Sequence, residues 1–416
     1  MLTRRHLLLT AGALPLAAAL PPRAAAPAAA APPPEGAGVL PDKAAFLQTD
    51  ITYLDSGSFH PISRGARAAI EAYLARRTLD PAAPDKGVED EKVLAKFARL
   101  VNADPDEVAF VQSTTTGEQM VLRALGIPES GGHIVTDTLH FFGSFPLYEE
   151  MARRGMAVSW VHPRDNRIML EDLKKVFRKD TRLVALSTVS TFNGFQHDLK
   201  AVCDLAHAHG ALVYADSIHA AGCVPLDLHA SGVDFAACAS YKWLMGDFGL
   251  GFIYARKDLR PRLKRTNYGY YGVGEFKPHV YPLDPPGDSI ADYAFARSAT
   301  GDFALGTHGE SVMAQLDHSL DYLLRVGVAN IQTHAQRLTE RLKKELPQLG
   351  YTLLTPPETA TPLVTCLFPD ARKTLGARLK DARVRLTLAA NRFRVSVSVF
   401  NDMHDIERLL AVLGHA

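Results

Sequence analysis

Lys242 sits between two apolar runs, DFAACA (234–239) and GFIYA (251–255), in a segment that reads SYKWLMGDFGLG and carries glycines at 246, 249 and 251. Most lysines are solvated surface charges, so one adjoining buried strands is uncommon unless it is paired or reactive. Desolvation lowers the pKa of an amine and readies it for Schiff-base formation. Asp216 closes another apolar run, ALVYAD (211–216), with His219 one helical turn further on. A carboxylate there serves either as a turn residue or as the partner of a cationic ring nitrogen. STTTGE (113–118) follows VAFVQ (108–112) and precedes a helical MVLRAL. Its hydroxyls and free backbone N–H groups make either a capped helix start or a phosphate cradle. A phosphate cradle, a strand-end Asp and a semi-buried Lys are together the three protein groups that pyridoxal phosphate requires.

The elements that must position these residues are legible in the patterning. From about Val108 to Tyr254, short β-rich runs alternate with helical stretches. HIVTD (133–137), VSWVH (158–162) and LVALS (183–187) join the runs already named as buried strands. LEDLKKVF (170–177) and LKAVCDLAHAHG (199–210) read as helices between them. That alternation predicts an α/β fold with a largely parallel sheet covered on both faces. Ligands bind such sheets at the carboxyl ends of the strands, where the polar residues cluster. Residues 257–305 hold Tyr268, Tyr270, Tyr271 and several prolines with few periodic signals. They read as a long functional excursion whose tyrosines serve an interface or lid. From Glu310 two long helical patterns precede LVTCLF (363–368) and RVSVSVF (394–400), an α+β tail.

Composition narrows the field. The chain has 416 residues, 47% of them hydrophobic and 22% charged, with 46 Lys+Arg against 45 Asp+Glu. This is an ordinary balance for a folded chain with a sizeable core. It lacks the basic stripe that nucleic acid demands. After residue 40 no stretch is long and apolar enough to span a bilayer. The 4 cysteines are too few for a disulfide scaffold and avoid the CxxC spacing of zinc sites, so no metal is expected. The opening Thr3-Arg4-Arg5-His6-Leu7-Leu8-Leu9, an apolar run to Leu20 and an Ala/Pro tract to about Pro34 form a signal peptide with AxA-type cleavage options. Its adjacent arginines match the twin-arginine pattern, with Leu7 where Phe is common and Leu9 where Lys is common. The expected location is therefore periplasmic or secreted, with the twin-arginine machinery as a partner. That route carries folded proteins already loaded with cofactor.

Taken in order, YLDSGSFHPIS (53–63), ADPDEVAFVQSTTTGE (103–118), VSTFNGFQHDL (189–199), ADSIHAAG (215–222), SYKWLMGDFGLGFIY (240–254), ALGTHG (304–309) and FRVSVSVFND (393–402) resemble the class V aminotransferase family of fold-type I pyridoxal-phosphate enzymes. That family includes cysteine desulfurases and isopenicillin N epimerase. The resemblance covers about residues 50 to 415. It implies a mainly parallel seven-stranded sheet in a large cofactor domain, about 61–305, and a small α+β C-terminal domain, 306–416. Residues 1–34 precede as signal and linker, and 35–60 form a segment over the active site. The resemblance also implies a homodimer acting on a small amino-acid-type substrate.

Carried over by position, Lys242 resembles the Schiff-base lysine and general base, and Asp216 the carboxylate that keeps the pyridine nitrogen protonated. His219 matches a donor to the ring phenolate oxygen. His140 matches the residue that stacks on the cofactor ring, with Phe141 and Phe142 as neighbouring candidates. Thr115, Thr116 and Ser240 resemble phosphate ligands, and Thr307 the one contributed by a neighbouring subunit. Arg394 resembles the arginine that grips the substrate α-carboxylate bidentately. Ser58 and His60, in the segment over the site, are further candidate substrate contacts.

The departures matter too. Between Pro369 and Arg394 there is no cysteine, whereas a desulfurase needs a nucleophilic thiolate on a mobile loop there. Cys366 falls inside a predicted strand, and Cys203, Cys223 and Cys238 on predicted buried elements, so all are expected to be inert. Thr191 and Met120 stand where family members often carry Asn. Tyr241 and Trp243 flank the lysine in an arrangement closer to the epimerase-like branch than to the desulfurases. The expected chemistry is transamination at Cα, with epimerisation or a C–S or β-lyase reaction, including periplasmic siderophore tailoring, as alternatives. A non-catalytic scaffold on a degenerate fold is the competing class. The joint presence of Lys242, Asp216 and Arg394 weighs against it.

Overall fold

The computed structural model describes residues 39–46, 50–82 and 88–414. The Arg4-Arg5 signal and the Ala/Pro-rich tract lie outside them. Seven strands form one sheet, ordered Val108–Val111, Gly251–Ala255, Phe235–Ala239, Leu212–Asp216, Thr181–Ser187, His133–Asp137, Ala157–Val161. Gly251–Ala255 runs antiparallel to both neighbours, and the other pairings are parallel. The interior strands are apolar along their length because both faces are covered; only the edge strand Ala157–Val161 is half-exposed.

Successive side chains point to opposite faces, so each strand feeds two cores. Val184 and Leu186 enter one; Leu183 and Ala185 enter the other. Helices Asp90–Leu100, Leu199–Ala208 and Glu310–Val326 close the first, where Phe97 stacks on Phe252 at 3.9 Å. Helices Thr114–Ala124 and Phe145–Arg153 close the second. Each fully buried leucine in these layers contributes roughly 1.5–3 kcal/mol.

A smaller antiparallel sheet, ordered Thr352–Leu353, Leu363–Leu367, Arg392–Ser396, Thr387–Leu388, packs with helices Val328–Glu345, Ala371–Asp381 and Met403–Gly414 around a third core. Here the strand expected at 394–400 is shifted. It begins at Arg392 and ends at Ser396, because Ser398 and Asn401 fold the chain into a turn. Asn401 N–H donates to the Ser398 carbonyl at 3.0 Å, and Ser398 N–H to Asn401 Oδ1 at 2.8 Å. Val397 and Val399 continue the alternating pattern and are buried, which is why the sequence reads as strand there. Phe393 and Val395 face the third core, so Arg394 turns to the opposite side.

The excursion over 257–305 is partly regular. Val273–Pro278 and Ala291–Phe295 pair as an antiparallel hairpin, and Ala299–Phe303 is a short helix whose Phe303 enters the second core. Tyr268 and Tyr270 are exposed. Thr52–Tyr53 pairs in parallel with Val384–Arg385, which ties the start of the described chain to its C-terminal region. Among the described residues no helix is long and apolar enough to cross a membrane.

Candidate active site

The carboxyl ends of the strands 108–111, 133–137, 181–187, 212–216 and 235–239 all lie along one edge of the large sheet. They deliver Ser113 to Thr116, His140, Ser187, Asp216 and Ser240 to Lys242. Lys242 is 7% exposed, and burial pushes its amine down to about 8, against partial support from the Asp216 charge. Its Nζ lies 3.0 Å from His219 Nε2, and Trp243 Nε1 donates to His219 Nδ1 at 3.3 Å. An indole N–H only donates, so Nδ1 is the acceptor and Nε2 carries the ring proton. His219 is thereby presented as a donor toward the lysine. Burial, together with the Lys242 charge, holds its pKa well below the usual imidazole range.

The turn that carries the lysine is held from outside. Met245 adopts a left-handed backbone, φ 57°, and its carbonyl accepts from Gln315 Nε2 at 3.1 Å and from Ser319 Oγ at 3.0 Å. Gly222, φ +92°, lets the 215–222 segment approach; a Cβ there would lie 2.5 Å from the Trp243 carbonyl oxygen.

Asp216 is buried. Its Oδ1 accepts from Ile218 N–H at 3.0 Å and its Oδ2 from Ser187 Oγ at 3.3 Å. Burial raises its pKa, with the charges of His140 and Lys242 opposing that rise. Thr114–Ala124 starts as a capped helix: Ser113 Oγ accepts from Thr116 N–H at 3.1 Å. Thr114 Oγ1 accepts from Ala239 N–H at 2.9 Å, so the helix start is joined to the end of the lysine strand. Thr115 is exposed and Thr116 half-buried at that start. Beside this junction Ser240 turns its hydroxyl to the Asp247 carbonyl at 2.8 Å. Thr307 is exposed and makes none of these contacts.

Arg394 is 8% exposed. One terminal nitrogen donates to the Thr191 carbonyl at 3.0 Å and Thr191 Oγ1 at 2.7 Å; the other donates to Ser58 Oγ at 3.1 Å and Thr387 Oγ1 at 3.0 Å. Its Nε is buried and has no hydrogen-bond partner among the described residues. Asp55 stands 3.7 Å away. A cavity of about 80 Å³ opens beside it, lined by Phe142, Thr191, Phe192, Thr387, Ala389 and Arg392. Ser58 thus reaches Arg394. His60 does not. Its Nδ1 donates to the Pro61 carbonyl at 2.9 Å, its Nε2 accepts from Ser398 Oγ at 2.7 Å, and its ring packs against Phe46 and Phe400. With both nitrogens occupied and burial pushing its pKa down to about 4, it braces the segment and has no group left for a substrate.

His140 is also fully enclosed. Nδ1 lies 2.9 Å from Ser187 Oγ and Nε2 3.0 Å from Glu118 Oε1. Glu118, Ser187 and Thr387 escape the sequence reading, and Trp243 enters it only as a neighbour of the lysine. For Glu118 a signal existed: it shares a helix face with Thr114, Val121 and Leu125, and a charge on an apolar stripe is anomalous.

The class V aminotransferase family model matches residues 85–409. The chain belongs to the class V aminotransferase family. An uncharacterized aminotransferase, YcbU, from Bacillus subtilis is 24% identical over 84% of this chain and 89% of its own length. The cysteine desulfurase IscS of Shewanella loihica is 30% identical, but over 42% of this chain and 44% of that protein. The fold superposes on C-DES, solved as a lysine mutant with glycine covalently linked to its PLP cofactor, with a TM-score of 0.79 and 22% identity, over 90% of this chain and 99% of that one.

Membership makes the chain a pyridoxal-phosphate enzyme, and the donor set fits the cofactor. A helix N-terminus suits a phosphate, a buried carboxylate with a raised pKa suits a ring nitrogen, and a desolvated amine suits an aldehyde.

Proposed function

We propose that this is an exported enzyme that acts at the Cα of an amino acid, or of a natural product bearing a free amino-acid group, by transamination-type chemistry. The observation that carries the reading is the Lys242 amine, buried and faced by a His219 donor at 3.0 Å, on the same sheet edge as Asp216. Thr115 and Thr116 would hold the phosphate, with Ser240 beside them and Thr307 supplied by a second copy. Asp216 would hold the ring nitrogen, His219 the ring oxygen, His140 the ring face and Lys242 the aldehyde carbon. Once bound, the cofactor supplies an electron sink that acidifies the substrate Cα–H. Lys242 takes that proton as general base, Asp216 stabilises positive charge on the ring, and Arg394 orients the substrate through its carboxylate.

Support for a reaction other than thiol-mediated desulfuration comes from the cysteines. Cys203, Cys223, Cys238 and Cys366 are all buried, and burial pushes each thiol pKa upward. The twin-arginine sequence Arg4-Arg5 supports export, with the mature enzyme outside the cytoplasmic membrane as a homodimer.

Borohydride treatment of the purified protein, followed by digestion and mass spectrometry, tests the core of this reading. The adduct belongs on the peptide containing Lys242, and its absence there overturns the assignment. An amino-acid panel in deuterated water then sorts the reaction. A keto acid with pyridoxamine phosphate supports transamination; racemised, deuterated substrate indicates epimerisation; pyruvate or released sulfur indicates a lyase. A reporter fused behind the first 34 residues and retained in the cytoplasm would end the export claim.

A further inference from the structure

Glu118 is 2% exposed, accepts two hydroxyl hydrogen bonds and touches an imidazole nitrogen. Its Oε1 accepts from Tyr148 Oη at 2.6 Å and lies 3.0 Å from His140 Nε2, and its Oε2 accepts from Ser144 Oγ at 2.6 Å. A hydroxyl donor on each oxygen selects the ionised carboxylate, since a protonated one would have to surrender an acceptor position. The chain of contacts continues on the other side of the imidazole. His140 Nδ1 lies 2.9 Å from Ser187 Oγ, and Ser187 Oγ donates to Asp216 Oδ2 at 3.3 Å. A serine hydroxyl has one proton. Spent on Asp216, it leaves Ser187 only a lone pair to offer His140, so Nδ1 must carry a proton. Glu118 demands a proton on Nε2. Both ring nitrogens are therefore donors.

We propose that Glu118 is a positioning residue: it holds His140 as an imidazolium in a fixed plane, and Ser187 passes that constraint to Asp216. This rests on the reading of His140 and Asp216 as cofactor residues, and it adds a counter-charge that reading does not contain. The charged and titratable groups facing His140 are Glu118 on the Thr114–Ala124 helix, Tyr148 on the Phe145–Arg153 helix, Asp137 at the end of the preceding strand and Asp216 on the neighbouring one. Burial opposes the imidazolium, but the Glu118 hydrogen bond and charge, aided by Asp216 and Asp137, leave the His140 pKa above its ordinary value. Burial likewise opposes the Glu118 carboxylate, and the bonds from His140, Ser144 and Tyr148 bring its pKa below the ordinary value.

Removing the Glu118 charge has a defined consequence. In Glu118→Gln, His140 becomes neutral and Ser187 can turn its proton to Nδ1. Asp216 then loses a donor and a neighbouring positive charge, and it holds its own proton more tightly. The test is histidine side-chain NMR on the full chain, cofactor-free and cofactor-loaded, with the His140 resonance assigned from His140→Asn. In the wild type we expect two ring N–H signals for His140 at pH 7.5, and a titration midpoint above the ordinary imidazole value. In Glu118→Gln the midpoint should fall, because burial then acts against the charge without the carboxylate, with Glu118→Asp partly restoring it. The pH dependence of the holoenzyme's visible absorption should move as well, whereas a purely structural loss would lower the melting temperature without moving it.

A neutral wild-type His140 at pH 7.5 overturns the proposal, even if Glu118→Gln fails to fold. Ser144→Ala and Tyr148→Phe, which leave the carboxylate in place, should keep His140 charged, and loss of its charge in both would also overturn it. A protein that takes up no cofactor would instead remove the functional reading while leaving the cofactor-free His140 result to stand or fall separately.

Discussion

Trp243→Phe should raise the pKa of the Lys242 amine. In the wild type the indole N–H fixes His219 as the Nε2–H tautomer, so His219 donates toward Lys242 at 3.0 Å. A neutral amine accepts that proton; an ammonium, which only donates, cannot. Burial is the larger reason the amine lies near 8, and Trp243 adds to it by denying the charged form a hydrogen bond. With the indole gone, His219 can take the Nδ1–H tautomer and accept from the ammonium. One net hydrogen bond to a charged group is worth about 1.5 kcal/mol, or about one pH unit. The midpoint should therefore rise from about 8 to about 9. The neutral fraction at pH 7.5, and with it the rate of cofactor capture, should fall several-fold. Competitive acetylation of the cofactor-free chain over a pH series, read by mass spectrometry at the Lys242 peptide, measures the midpoint directly. A wild-type midpoint near that of an exposed lysine, or an identical midpoint in the variant, would refute the reasoning.

Three other outcomes follow from the geometry. Arg394→Lys keeps the charge but loses the planar fork, so kcat/KM should drop roughly ten- to a hundred-fold, mostly through KM, in steady-state assays; an unchanged KM would move carboxylate recognition elsewhere. Gly222→Ala adds a Cβ 2.5 Å from the Trp243 carbonyl at φ +92°, and it should destabilise the fold by roughly 2–4 kcal/mol in urea unfolding. His60 has a folded pKa near 4 against 6.5 when unfolded, so the unfolded chain binds the extra proton between those values. Stability should then fall as pH drops from about 6.5 to 4, by up to about 3 kcal/mol. His60→Gln should flatten that slope, and a slope unchanged in the variant would locate the titration elsewhere.

The large sheet was legible because its strands are buried on both faces and read as unbroken apolar runs with no surface signal to dilute them. Lys242 and Asp216 stood out for the same reason: each is a charge set against such a run. Ser58 lies against Arg394, whereas His60 turns to its own segment and to Ser398. A histidine facing an aromatic pair looks the same in sequence as one facing a substrate, and only Phe46, Phe400 and Ser398, distant in sequence, decide between them. The hairpin of 273–295 left no periodic trace because most of its strand residues are exposed on both faces. At 394–400 the valines alternated faithfully, but a turn between Ser398 and Asn401 ended the strand first. Glu118 shows locally only as a charge on an apolar stripe; its partners, like those of Ser187, lie on other elements and are absent from any local window.

Ser58 and Arg394 touch at 3.1 Å although 336 positions separate them along the polypeptide. During synthesis, then, the lysine turn and its flanking strands emerge from the ribosome well before the guanidinium that completes the clamp. On the proposed reading, a nascent chain would therefore present Lys242 and Asp216 before the contact that is to grip a substrate, and that contact closes only with the final stretch of translation.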